Sequence, residues 1–576
     1  MTKIKGSEAI VKCLQKEGVK TVFGITGGAI IPLYDTLYDH QSTIKNIICR
    51  HEQGAAHMAA GFARACGRPG VALGTSGPGG TNLVTGIMDA HMDSTPMVAM
   101  AGQVPTSLIG KDAFQETDMM GITMPITKHN FQVRDPEKLA ETILKAFKLS
   151  REGRPGPVYI DLPKDVQDAQ IKSKIPESVT IHSYKPKTKP NPLAVKRAIV
   201  ALLNAERPVI IAGGGVIIAN GQKELKEFAE TALIPVNTTT MGKGVFPENH
   251  ALSLGVMGMH GNEHANYAVI NCDCLIAIGC RFSDRITGDT NTFAENAKII
   301  HADVDPSEIG KNVRVDVPIV GNAKDVLAAM NTIYKEEIGK RKHRHTPWVK
   351  KLEELKELVE AAENKSLKGM TQSNLAKKFS DFIQDEDIVT TGVGQHQMFG
   401  EHYLRRTHPR TWITSGGAGT MGYGLPAALG AKVAKPDNDV YDFDGDGSFQ
   451  MTTQELATSK HYDIKVMPVI MNNGYLGMVR QWLDIFNEKR HSGIQFSGNP
   501  DFVRLSQAYK LDGVTVEKES EFVEALKRAK KSDETFVIDA HVDPAEHILP
   551  MLPPGKGLQH IIGGKHIFKQ SWEEVK

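Results

Sequence analysis

Asp446 and Asn473 are two oxygen-bearing side chains that their surroundings bring to one place, and a hard cation is the partner they suit. Val440-Tyr441-Asp442-Phe443 reads as a strand, and Asp444-Gly445-Asp446-Gly447-Ser448 turns sharply, with glycine where the backbone must bend. A helix is predicted from about Phe449. Residues 465–471 form a short apolar run of the buried-strand kind, closed by Asn472-Asn473-Gly474. If the two strands are parallel neighbours, both side chains emerge at the same carboxyl edge, beside a helix N-terminus whose amides attract phosphate. Mg²⁺ takes about six oxygen ligands and often fills its shell with phosphate oxygens. A calcium loop is the competing reading, since Asp442, Asp444, Asp446 and Gly447 fit the opening of an EF-hand. Its closing glutamate position falls on Thr453, and a strand rather than a helix precedes the loop.

A second candidate lies near the other end of the chain. Asn46-Ile47-Ile48 reads as a strand, Glu52 follows it, and an alanine-rich helix begins there, where a carboxylate serves as a cap or as a proton-handling group. Strand Val71-Ala72-Leu73-Gly74 runs into the glycine phrase at 75–82, and a similar phrase occupies 414–421. Each precedes a helix rich in small residues, so the pair reads as a distant duplication of one α/β unit. Pro208-Val209-Ile210-Ile211-Ala212 leads into Gly213-Gly214-Gly215, a nucleotide-type strand and turn whose dinucleotide fingerprint is incomplete at Ile218. Cys272, Cys274 and Cys280 lie on or beside an apolar strand pattern, and a buried strand is expected there rather than a metal site.

The chain that carries these residues has 576 positions, too many for one core, and about three or four domains are expected. Its 68 Lys and Arg nearly balance 67 Asp and Glu, so nothing favours nucleic acid or an anionic membrane surface. No apolar run reaches the length of about 18 residues that a span needs, the first residues lack a signal-peptide core, and six cysteines are too few for a disulfide framework. A cytoplasmic enzyme is expected. The parts divide as a first α/β unit at 1–172, a Lys/Pro/Ser-rich linker at 173–192 and a middle unit at 193–334. A solvated helical connector is expected at 335–370, a last α/β unit at 371–545 and an irregular tail at 546–576.

The pairing of Gly445-Asp446-Gly447 with Asn472-Asn473 resembles the signature of thiamine diphosphate enzymes. That resemblance implies three doubly wound, mostly parallel α/β domains: pyrimidine-binding, central flavin-binding and diphosphate-binding. It also implies that Asp446, Asn473 and the Tyr475 carbonyl hold Mg²⁺ against the cofactor's diphosphate, with Gln395, His396, Gly445, Gly447 and Ser448 around the cofactor and Met421 bending it. Glu52 would hydrogen-bond the aminopyrimidine ring and assist its proton transfer, reaching it from the other subunit of a homodimer. Further phrases in order along the chain are similar to those of the acetohydroxyacid synthases, also called acetolactate synthases. They include Arg50-His51-Glu52-Gln53, Phe114-Gln115-Glu116-Thr117-Asp118, residues 154–165, Met259-His260-Gly261, Arg281-Phe282-Ser283-Asp284-Arg285 and Met478-Val479-Arg480-Gln481-Trp482.

This second likeness implies that pyruvate is decarboxylated and its two-carbon unit joined to pyruvate or 2-oxobutanoate, giving 2-acetolactate or 2-aceto-2-hydroxybutanoate for branched-chain amino-acid biosynthesis. It brings FAD in a structural role, on Arg154, His260, Gly261, Arg281, Arg285 and Asp303. Arg285, Lys164 and Trp482 would meet the substrates, and Gln115 and the amide of Gly28 the reacting carbonyl. A homodimer or homotetramer, with a possible small regulatory subunit, belongs to the same expectation. Ser283 and Thr26 depart from the family pattern, which commonly has aspartate and proline there. Another carboligase or 2-oxo acid decarboxylase, a flavin oxidoreductase of the pyruvate oxidase kind, and a nucleotide-binding scaffold are the alternatives.

Overall fold

Apolar runs bounded by glycine turns become strands buried on both faces, as parallel sheets covered by helices require. The computed structural model describes residues 3–172, 174–339 and 344–575. It contains three six-stranded sheets, each parallel throughout. The first runs in space Lys45–Ile48, Thr21–Gly24, Gly70–Gly74, Met97–Gln103, Pro157–Pro163, His129–Gln132. The last runs Trp412–Ile413, Ile388–Thr391, Val440–Gly445, Met467–Asn472, Phe536–His541, Asp512–Val516. Counted along the chain, both have the order 2-1-3-4-6-5. The middle sheet has the order 3-2-1-4-5-6, that of dinucleotide-binding folds.

The shared order supports duplication of the outer units but corrects the equivalence drawn from the glycine phrases. Residues 75–82 follow the third strand of the first sheet, whereas 414–421 follow the second strand of the last. The topological counterpart of 75–82 is the acidic turn at Asp446. The sheet edge, not the wording of the turn, is what the two units share.

Successive strand residues go to different cores. Phe23, Ala72, Ala99 and Tyr159 point one way, into a core that also takes residues of the last sheet, while Val22, Val71, Val98 and Val158 point into a core of their own. The outer units meet through two helices, Glu52–Cys66 and Gly424–Ala434. Both are lined with alanine and glycine, so their backbones approach closely. A Cβ on Gly61 would overlap the carbonyl of Ala427, and one on Gly430 the carbonyl of Met58. Gly430→Val should therefore lower the stability of this junction by about 1–3 kcal/mol, read as an earlier thermal unfolding transition. Gly498→Ala, where nothing lies within 4 Å of the added carbon, should leave that transition in place.

Four expectations change. The strand expected to end at Phe443 continues to Gly445, and the helix expected from Phe449 starts at Asp446. The expected connector is two helices, Ala323–Ile338 and Thr346–Asn364, and the second buries Trp348, Leu352 and Val359, so it is amphipathic rather than solvated all round. Positions 340–343 of that connector and 173 of the linker lie outside the described residues. The linker packs Ile175, Val179, Ile181 and Tyr184 against the first core. The tail is not loose: Met551, Leu552, Leu558, Ile561 and Ile562 are buried, and Gly557 bridges to Gly288.

Candidate active site

Two adjoining cavities gather most of the candidate residues. The larger, about 720 Å³, is lined by Gln395, His396, Met421, Gly445, Asp446, Gly447, Ser448, Asn473, Tyr475 and Trp482, and from the middle unit by His260, Gly261, Arg281 and Arg285. That size suits a cofactor. The smaller, about 240 Å³, is lined by Arg154, Gly214, Gly215, Arg281, Arg285 and Asp303.

Strand Val440–Gly445 pairs with Met467–Asn472 in the register Gly445 to Met471, which puts Asp446 and Asn473 side by side just past the strand ends. Asp446 Oδ2 accepts from Asn499 Nδ2 at 2.7 Å, and the Asn473 Oδ1 accepts from the Tyr475 amide at 2.9 Å. Burial pushes the Asp446 carboxyl up to about 6, against the lowering effect of the Asn499 bond. A bound cation would remove that penalty. Among the described residues no three His, Cys, Asp or Glu side chains converge as a metal site. Asp446, Asn473 and Tyr475 instead line the same cavity and offer a carboxylate, an amide and a backbone carbonyl, an all-oxygen donor set that would fit Mg²⁺ shared with a diphosphate. The EF-hand alternative has no support in this strand–turn–helix setting.

His396 is buried, and burial pushes its ring down to about 3, so it is neutral. A Cβ on Gly445 would run into that ring, and Gly447 faces Phe496. The loop that carries Met421 is fixed from the first unit. Asp89 accepts from the hydroxyls of Ser415 and Thr420, and Asp93 accepts from the amides of Gly416 at 2.9 Å and Gly417 at 2.7 Å. Burial, then repulsion from Asp89, pushes the Asp93 carboxyl up to about 6. Nothing in the sequence marked these aspartates, because their role depends on a contact more than 300 residues away. Asn499 was missed because the carboxylate it holds lies 53 residues away in the chain.

At the smaller cavity, Gly214 opens the helix after the first strand of the middle sheet, where the strand order reverses. Arg154 donates to Glu308 at 2.7 Å, faces Asp305 at 3.4 Å and donates to Ser94 at 2.9 Å. Burial pushes Asp303 up to about 6 and His260 down to about 3. Arg281 and Arg285 border both cavities, so an elongated dinucleotide could span them, and the residues present fit FAD. The three cysteines at 272, 274 and 280 are free and buried, and burial raises their thiols.

The remaining candidates lie elsewhere. Gly28, Glu52, Gln115 and Lys164 all follow strands of the first sheet at its carboxyl edge, and none lines either cavity. Glu52 is the first residue of its helix, buried, with Oε2 accepting from Asn82 Nδ2 at 2.9 Å. Gln115 adopts φ of 61° against Gly77. Behind Glu52 the last unit inserts Glu455, whose carboxylate accepts from the amides of Arg50 at 3.0 Å and His51 at 3.1 Å. Within one chain, the structure thus separates Glu52 from the cavity that Asp446 lines.

Comparison with known proteins gives this geometry a class. Residues 4–122 match the family described as thiamine pyrophosphate enzyme, N-terminal TPP binding domain. Residues 195–330 match the central domain of those enzymes, and 392–540 their C-terminal TPP binding domain. Three such domains in this order define a thiamine pyrophosphate enzyme. The chain is 51% identical to a probable acetolactate synthase large subunit of Methanocaldococcus jannaschii, over 100% of this chain and 98% of the relative. It is 44% identical to the acetolactate synthase large subunit of Corynebacterium glutamicum (98% and 92%) and 43% identical to an acetolactate synthase of Arthrospira platensis (97% and 98%). The chain belongs to the acetolactate synthase large-subunit family.

Proposed function

We propose that this chain is the catalytic subunit of an acetolactate synthase. It joins two pyruvates to 2-acetolactate with loss of CO₂, or pyruvate and 2-oxobutanoate to 2-aceto-2-hydroxybutanoate, in branched-chain amino-acid biosynthesis. The observation that carries this reading is one cavity lined together by Asp446, Asn473, Tyr475, Met421 and Trp482. When bound, thiamine diphosphate supplies the electron sink for decarboxylating a 2-oxo acid.

The chain's own residues do the rest. Asp446, Asn473 and the Tyr475 carbonyl hold Mg²⁺, while Gln395, His396, Gly445, Gly447 and Ser448 surround the diphosphate end. Met421 would bear on the shape of the bound cofactor, and Glu52 would hold and exchange a proton at the aminopyrimidine nitrogen. Arg285 and Lys164 attract the substrate carboxylates. Gln115 and the Gly28 amide approach the reacting carbonyl, and Trp482 forms the wall against the acceptor's alkyl group. Arg154, His260, Gly261, Arg281, Arg285 and Asp303 hold FAD, which does no net redox work.

A second copy of the chain brings Glu52 to Asp446, making a homodimer the smallest active unit, alone or within a tetramer. The separation of the two residues within one chain supports this, as does apolar surface left bare in the segment after the fourth strand of the first sheet: Phe114 is 89% exposed and Met124 67%. No helix among the described residues is long and apolar enough to cross a membrane, which agrees with a cytoplasmic setting. A small regulatory subunit is a further partner, in keeping with relatives named as large subunits.

Incubating the purified chain with pyruvate, with each cofactor left out in turn, tests the reading. Acetolactate should form only with thiamine diphosphate and Mg²⁺ present, and omitting FAD should lower the yield. Absence of acetolactate with all three, or bleaching of the flavin by pyruvate without oxygen, would overturn it.

A further inference from the structure

Helix Gly477–Phe486 carries the cavity-lining Met478, Val479 and Trp482. Only Gln481 of this helix is fully buried, while Trp482 is partly buried and packs against the core of the middle unit. Its aromatic face is also held from the side. Trp482 and Phe486, one turn apart, meet edge to face with ring centroids 5.7 Å apart at 76°, and Phe486 meets Trp572 at 4.8 Å and 85°. Both contacts lie in the favourable range for aromatic pairs. Neither Phe486 nor Trp572 lines the cavity.

The segment that delivers Trp572 is fastened along its length. Gln481 Nε2 donates to the Ile548 carbonyl at 2.9 Å and its Oε1 accepts from the Ile548 amide at 2.8 Å. Asp484 meets His547 at 2.9 Å. The buried Glu263 carboxylate accepts from the amides of Lys565 and Ile567, both at 2.6 Å, and Lys556 donates to the Val575 carbonyl at 3.0 Å. Trp572 therefore stands at a fixed place beside Phe486.

We propose that Trp572 is a positioning residue for acceptor choice: through Phe486 it sets the orientation in which Trp482 faces the cavity. The inference rests on the reading of Trp482 as the acceptor wall. An indole whose neighbour is removed gains freedom about its two side-chain torsions, and contact with one extra methylene is the first thing lost.

The test is competition of 2-oxobutanoate against pyruvate in one mixture, because the ratio of the two products does not depend on how much enzyme is folded or loaded. Trp572→Ala should shift that ratio away from 2-aceto-2-hydroxybutanoate by about two- to tenfold, and Trp572→Phe should stay near the wild type. Phe486→Leu should shift it likewise, and adding Trp572→Ala to Phe486→Leu should change nothing more. An unchanged ratio in Trp572→Ala, an equal loss in Trp572→Phe, or additive shifts in the double variant would overturn the proposal. If Trp572→Ala gives no product, an unchanged ratio in Phe486→Leu overturns it. Failure of the wild-type chain to make either product would instead sink the reading of the reaction.

Discussion

Glu52→Gln should lower turnover of pyruvate by about 10²- to 10⁴-fold, the contribution of a well-placed proton-transfer group, with cofactor and Mg²⁺ affinity retained. The argument starts from Asn82, whose amide donates to Glu52 Oε2 at 2.9 Å and fixes the carboxylate at the N-terminus of its helix. A glutamine can accept the same hydrogen bond through its carbonyl oxygen and fill the same volume. What it presents with its other atom is an NH₂ group, which cannot take and return a proton. Shape and packing against Gly79 survive while the proton exchange does not. Because Mg²⁺ and the diphosphate are assigned to Asp446, Asn473 and the Tyr475 carbonyl and not to Glu52, titration of Mg²⁺ and thiamine diphosphate should give affinities within a few-fold of the wild type. Turnover within a few-fold of wild type would remove Glu52 from the chemistry. Glu52→Asp makes the contrast sharper: the acid is kept but withdrawn by one methylene, so an intermediate rate is expected.

What the residues disclosed and what they hid divide along a physical line. The turn at Asp446, the Asn473 that answers it and Glu52 all stand where an apolar strand gives way to a helix, and that change of pattern is local. So is the glycine turn at Gly213. The helix after Gly445 begins three residues before its expected start because Asp446 itself is helical, a boundary that a Gly-Asp-Gly turn does not specify. Supporting groups were hidden because their partners are distant: Asn499 on Asp446, Asp89 and Asp93 on the 414–421 loop, Glu455 on the amides of Arg50 and His51. The tail was hidden for another reason. Met551, Leu552, Leu558, Ile561 and Ile562 follow neither a helical nor a strand period, and they are buried as single anchors of an irregular path, Leu552, Leu558 and Ile561 in the core of the middle unit. The likeness of the outer units was legible and its equivalence misplaced in detail, since glycine turns resemble one another at any sheet edge.

Asp446→Ala should weaken Mg²⁺-dependent cofactor binding by more than about 100-fold, the upper end of what loss of a mere outer partner of a metal ligand costs. The reason is the donor set. Asp446 is the only carboxylate among the three oxygens assigned to the cation, so its removal leaves an amide and a carbonyl and no formal charge to balance Mg²⁺ and diphosphate. The same carboxylate, pushed up to about 6 by burial, is poorly solvated in the free chain, and a cation is the partner that would relieve it. Asn499→Ala provides the graded companion. It removes the 2.7 Å hydrogen bond to Asp446 Oδ2 and the one between Asn499 and Gln450 while leaving the ligands, so a loss of about 10- to 100-fold is expected. Excess Mg²⁺ should largely restore Asn499→Ala and not Asp446→Ala, because a misoriented ligand is recovered by mass action and an absent one is not. Titrating thiamine diphosphate at low and high Mg²⁺ separates the cases: equal recovery of both variants, or no loss in Asp446→Ala, would move the cation away from this pair of strand ends.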